Sequence, residues 1–240
     1  MKTEKIANTT IEIKPIELCT TSIRIRGTSP LIVHNWSHKA KQEILDTQTG
    51  IKKTKKKHDY KLPSYDFCES LYWLDGKPEY DEEHLYSMSK QEDADAYVWK
   101  LYEEAISKPH RFGFPVTAIK NAAVMAASRN DLAVKSTWLK GAFFIKGEGK
   151  DMCAEIKGPD PVIREDMVRV GGISKTADIR FRPQFNDWYM DIEVTYNKNG
   201  PVTLEQIVNL INLGGFTCGL GEWRMEKNGN YGTYMVEPMG

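Results

Sequence analysis

Two stretches of this chain, TTSIRIRG at 20–27 and WYMDIEVTY at 188–196, alternate apolar with charged or polar side chains at a period of two. That alternation fits a strand buried on one face and solvated on the other. In the first, Ile23 and Ile25 point one way and Arg24 and Arg26 the other. Helices must then cover the apolar face. One begins at Pro115, a residue favoured in a first helical turn, and lays Val116, Ile119, Ala123 and Ala126 along an inner stripe. Another, TLEQIVNLINLGG from Thr203, opens with a Thr203/Gln206 capping box and carries Leu204, Ile207, Val208 and Ile211 on one face. Gly214-Gly215 is expected to stop it.

The segment ADIRFRP, followed by a turn at Gln184 to Asp187 and then WYMDIEVTY, reads as a β-hairpin. In register, Ile179 and Phe181 would share a face with Trp188, Met190, Ile192 and Val194. Arg180 and Arg182 would then lie beside Asp191 and Glu193, where cross-strand ion pairing cancels most of the charge. With a last strand at YGTYMV, the order is strand, helix, hairpin, helix, strand. This predicts an α+β fold with a ferredoxin-like βαββαβ, RRM-like core, its first and third strands (20–27 and 188–196) at the centre of the sheet. The expectation is a single ferredoxin-like domain over 1–240, with an insertion at 47–112 and an extra β-hairpin at 142–158.

The insertion has two characters. Lys52, Lys53, Lys55, Lys56 and Lys57 crowd a stretch that buries no face and reads as a mobile loop, whereas 66–104 sets twelve carboxylates against Lys77, Lys90 and Lys100. Its Tyr72, Trp73, Tyr80, Tyr86 and Trp99 make that acidic part an ordered segment rather than a tail. Over the whole chain, 33 basic and 33 acidic residues cancel, so binding to a polyanion must come from local patches. No run of about 18 apolar residues and no signal-peptide pattern is present, and the four cysteines form no C-x-x-C pair. These features predict a cytoplasmic protein with no membrane partner, no metal site and no cofactor.

The stretch GLGEWRMEKNGNYGTYMV, 219–236, gathers Gly219, Gly221, Gly229 and Gly232 around Trp223, Arg224 and Lys227. Glycine frees backbone N–H groups to cradle a phosphate, which Arg224 and Lys227 would neutralise while Trp223 offers a stacking face. Equally, Asn228-Gly229 serves a plain turn and Trp223 belongs to the core.

A glycine-rich loop between the last helix and last strand of a ferredoxin-like domain resembles the RAMP superfamily, the RNA-binding proteins of CRISPR effector complexes, and their repeating backbone subunit in particular. The matching residues are the four glycines of GLGEWRMEKNGNYG, and SIRIRGTSPLIVHNWSHKAKQEI resembles the family's first strand and RNA-contacting turn. The GEWR…KNG phrase is also similar to the ends of small bacteriophage proteins, which implies a stand-alone relative. The resemblance implies a non-catalytic protein that binds single-stranded RNA, or DNA, along its backbone without sequence readout and self-associates along the strand. It assigns contacts to Gly219, Gly221, Trp223, Arg224, Lys227, Asn228 and Gly229 in the loop and to His34, Trp36 and Lys39 in the turn, with Lys52, Lys53, Lys55, Lys56 and Lys57 closing over them. Two alternatives stay open. A metal-independent ribonuclease would use a histidine such as His34, His38 or His110 as acid or base. A protein-interaction module that blocks or mimics a host complex would use the acidic aromatic segment.

Overall fold

The computed structural model describes residues 14–50, 61–170 and 176–237. Strand β1 (Leu18–Gly27) leads through a short β2 (Leu31–Ile32) into helix α1 (His38–Thr49), whose Ser37 cap accepts a hydrogen bond from the Ala40 amide at 3.1 Å. Then come α2 (Pro63–Glu69), β3 (Tyr72–Asp75), α3 (Glu82–Ser87), α4 (Gln91–Ile106) and β4 (Arg111–Pro115). Helix α5 (Val116–Arg129), α6 (Ser136–Ala142), β5 (Phe143–Ile145) and β6 (Cys153–Ile156) follow. The chain ends with β7 (Val162–Val170), β8 (Thr176–Phe185), β9 (Tyr189–Asn197), α7 (Leu204–Thr217) and β10 (Tyr234–Glu237).

The principal sheet has the order β10-β1-β9-β5, and every neighbouring pair is antiparallel. With α5 leading into β5 and α7 leading from β9 to β10, this is a βαββαβ arrangement with its first and third strands central. The alternation in β1 and β9 is obeyed. Ile23, Ile25, Met190, Ile192 and Val194 are buried, as are Val116, Ile119, Ala123 and Ala126 of α5 and Ile207, Leu210 and Ile211 of α7. Thr203 and Gln206 form the expected reciprocal cap. No helix among the described residues is long and apolar enough to cross a membrane.

The expected hairpin of 177–183 with 188–196 does not form. Strand β8 pairs with β7 from Val162↔Gln184 to Val170↔Thr176 and with β2 at Gln184 and Phe185, while β9 pairs with β1 on one edge and β5 on the other. The core's second strand is instead β5, which lies within the stretch expected to form a separate hairpin at 142–158. A tight Glu148↔Cys153 bridge does follow β5, but β6 departs into a third sheet, β3-β4-β6. The change of partner inverts the surroundings of β8. Arg182 is only 3% exposed, against Asp166, while Ile179 lies at the surface.

Four ion pairs occupy the uncovered sheet face. Arg24 binds Asp191 through two nitrogens at 2.7 and 3.0 Å, Arg26 binds Glu237 at 2.6 Å, and Lys157 and Lys146 reach Asp191 and Glu193 at 3.0 and 2.9 Å. Both guanidiniums also lie over the Tyr189 ring, 4.5 and 5.1 Å from its centre. The acidic segment is ordered around an aromatic cluster of Phe67, Trp73, Trp99, Tyr102 and Phe112.

Gly214 and Gly215 do not stop α7, which runs on to Thr217. They are packing residues: a Cβ at 214 would meet the backbone of Ala122 and Ala123 at 2.8 Å, and one at 215 would overlap the Tyr234 carbonyl. Gly215→Ala is therefore expected to lower stability by roughly 1–3 kcal/mol in urea unfolding, as overpacking does. Gly141→Ala, in α6 with open space around it, should instead be neutral or raise stability by up to about 1 kcal/mol.

Candidate functional site

Most amides of the glycine-rich loop are spent on the protein itself. Leu220 donates to the Gly232 carbonyl at 2.9 Å, Glu222 to Ile32 at 2.8 Å, Glu226 to Cys218 at 3.0 Å, and Gly232 to Pro30 at 2.8 Å. Further round, Lys227 and Gly229 donate to Arg224, Asn228 to Met225 and Tyr231 to Trp223. Most of the loop's N–H groups are thus paired within the protein, and those of Gly221, Trp223 and Arg224 stand outside these bonds. The glycines serve close approach. At Gly221, with φ of 72°, a Cβ would strike the Ile32 carbonyl, and at Gly229 one would strike that of Trp223.

The charges of the loop divide between internal and free. Arg224 donates from Nε to Glu226 at 3.0 Å and from a terminal nitrogen to the Gly221 carbonyl at 2.9 Å. Glu226 also meets Arg129 at 3.1 Å. Burial alone would raise the Glu226 pKa, but Arg224, Arg129 and Lys227 together hold it below its ordinary value. Lys227 itself is exposed and forms no ion pair among the described residues. Trp223 is 39% exposed rather than buried in the core.

Docking this loop on residues 30–32 creates a half-open cleft of about 550 Å³. Its walls are Tyr72 and Phe114, the face of α5 that carries Asn121 and Met125, Lys140 of α6, and the loop from Gly219 to Glu222 with Arg224 and Glu226. His34 also lines it. Arg180 can only donate, so His34 Nε2, at 3.4 Å, accepts; Nδ1 then carries the proton and faces Ser70 Oγ at 3.3 Å. Burial, reinforced by the positive Arg182 and Arg180, lowers the His34 pKa to about 4. A neutral imidazole with both nitrogens engaged lacks the labile proton of a general acid at neutral pH.

Of the residues expected to bind, the cleft unites His34 with Gly219, Gly221 and Arg224. Trp36 and Trp223 are exposed beside it in sequence, whereas Lys227, Asn228 and Gly229 stand outside its lining. Lys39 sits in the first turn of α1, and Lys52, Lys53, Lys55, Lys56 and Lys57 lie outside the described residues. Sequence reasoning missed Asn121, Lys140, Glu222 and Trp138. Asn121 and Lys140 are exposed and make no hydrogen bond or ion pair among the described residues. Asn121 lies off the apolar stripe of α5, a weak signal; Trp138, 57% exposed in a short helix, was the stronger one. No group of three or more His, Cys, Asp or Glu among the described residues could hold a metal ion.

No protein-family model matches the chain, and no curated protein matches it. Among solved structures, the crystal structure of Cmr6 from Pyrococcus furiosus is similar, with a TM-score of 0.33 and 11% identity over 93% of this chain and 100% of that one.

His34 makes stability depend on pH in a predictable direction. Its folded pKa, about 4, lies below the ordinary 6.5, so its neutral form stabilises the fold above pH 6.5 and that contribution is lost as pH falls from 6.5 to 4. His34→Gln, which stays neutral, should flatten the fall in denaturation midpoint over that window. An unchanged pH slope would count against the neutral buried imidazole.

Proposed function

We propose that this chain is a non-catalytic protein that binds single-stranded nucleic acid, RNA in preference to DNA, across the mouth of this cleft. One observation carries the reading. Three tryptophans, Trp36, Trp138 and Trp223, are 56%, 57% and 39% exposed, and each lies within two residues of a side chain lining the cleft. The other three are buried or partly buried, Trp188 to 1%. Exposed rings carried by three of the segments that line one cleft offer stacking faces for unpaired bases, each worth about 1–3 kcal/mol and indifferent to base identity. Lys140 and Lys227, without ion-pair partners among the described residues, supply local positive charge in a chain of zero net charge.

RNA is preferred on the resemblance of the glycine-rich motif to RAMP proteins. Binding without base readout places copies side by side along a strand, and head-to-tail association is part of the proposal. The uncovered sheet face is the weaker candidate, because its arginines already hold carboxylates. The neutral, doubly bonded His34 does not suit the acid of the histidine-ribonuclease alternative, and His110, which bonds Asp160 at 2.9 Å, stands outside the cleft lining.

Tryptophan fluorescence should be quenched on titration with single-stranded RNA. Alanine at Trp36, Trp138 or Trp223 should weaken binding roughly tenfold each, within the range for loss of one base stack. Replacing Lys140 and Lys227 together should reduce the log–log salt slope by about 1.4, at about 0.7 per phosphate contact on a single strand. A salt slope untouched by the double replacement, or full affinity without the tryptophans, would refute the assignment.

A further inference from the structure

The interior of the cleft suits a different chemical group from its rim. Two carboxylates, Glu222 and Glu226, line it together with two cations, Lys140 and Arg224, so the lining carries no net positive charge to hold a phosphate. Arg224 and Glu226 are bound to each other, at 3.0 Å, and to the loop and α5 around them. That leaves Asn121 and Lys140, without partners among the described residues, on one side. The loop wall adds Glu222, whose carboxylate reaches, among the described residues, only the Arg182 guanidinium, at the long separation of 3.6 Å, and whose side chain is 40% exposed. Tyr72 and Phe114 add flat apolar surface, and the volume of about 550 Å³ falls within the 300–1,000 Å³ typical of sites for small organic ligands. A guest that is neutral, planar and able both to donate and to accept hydrogen bonds satisfies this set; a phosphate would meet the carboxylates.

Resting on the nucleic-acid reading above, we infer that the cleft receives one unstacked nucleobase of the bound strand, and that it favours bases carrying an exocyclic amino group. Adenine, cytosine and guanine each offer such an amine to the Glu222 carboxylate and present ring nitrogens or carbonyls to the Asn121 amide, which leaves Lys140 for the strand's phosphates. Uracil has no amine, and its one ring donor, N3–H, sits between two carbonyls that would face the Glu222 carboxylate. The stacking faces outside the cleft remain indifferent to sequence, so each bound protomer reads one base at most.

The test compares affinities for oligoadenylate, oligocytidylate and oligouridylate RNA of about ten nucleotides at one fixed salt concentration, for the intact protein and for Asn121→Ala and Glu222→Gln. Asn121 is exposed on α5, where alanine is the best helix former, so that variant folds. The expected result is binding of the amine-bearing strands roughly tenfold tighter than oligouridylate, a difference that shrinks to about two- or threefold in both variants while the salt slope stays constant. Equal affinity for all three strands, or a preference that survives in both variants, overturns the base pocket and leaves the strand-binding reading standing. If no strand of any composition binds at low salt, the broader reading fails and the pocket falls with it.

Discussion

The architecture around the cleft depends on one backbone seam. Residues 219–232 fold back so that Glu222 donates to Ile32 and Gly232 to Pro30, main chain against main chain, at separations that leave no room for a side chain at Gly221. The seam buries Leu220 and seats the start of β10 beside the end of β1, where Gly27 pairs with Tyr234. It also turns Trp223 outward at a φ of 51°, a conformation costly for a bulky residue and tolerated because its neighbours fix it. The glycines therefore act on ligand binding indirectly: they let the loop dock, and the docked loop forms a wall of the cleft.

Charge follows the same division between internal and available groups. Of the basic residues near the sheet and loop, Arg24, Arg26, Arg182 and Arg224 are all held by carboxylates of the same chain. Apart from the buried Arg182–Asp166 pair these are partly exposed, and such pairs add little stability and leave little field for a polyanion. The cleft instead brings the unpaired side chains of Lys140 and Asn121 together with segments that carry exposed indoles, and Lys227 follows a few residues on in the same loop. The inner wall, with Glu222 and a neutral His34, is polar without being cationic.

The parts of the fold that could be read in the sequence were those decided locally. The alternation in β1 and β9, the small-residue stripe of α5 and the capping box of α7 each fix an element from its own residues, and all are present. Partner choice was not readable: β8 has the alternation and short turn of a hairpin arm, yet its ladder goes to β7, whose nine residues raised no comparable signal. The loop was ambiguous for a related reason, since an amide cradle and a close-packed turn both require glycine, and only the carbonyls of Ile32, Pro30 and Gly232 decide between them. Asn121 and Lys140 come to the site through the packing of α5 and α6, which no local pattern announces.

The central claim is that a strand crosses the cleft and not the uncovered sheet face. Photocrosslinking of single-stranded RNA carrying 4-thiouridine, followed by peptide mass mapping, tests it most directly. The account predicts adducts on the peptides that contain Trp36, Trp138 and Trp223. Adducts confined to Arg24, Arg26 and Tyr189 on the open face of the sheet would contradict it.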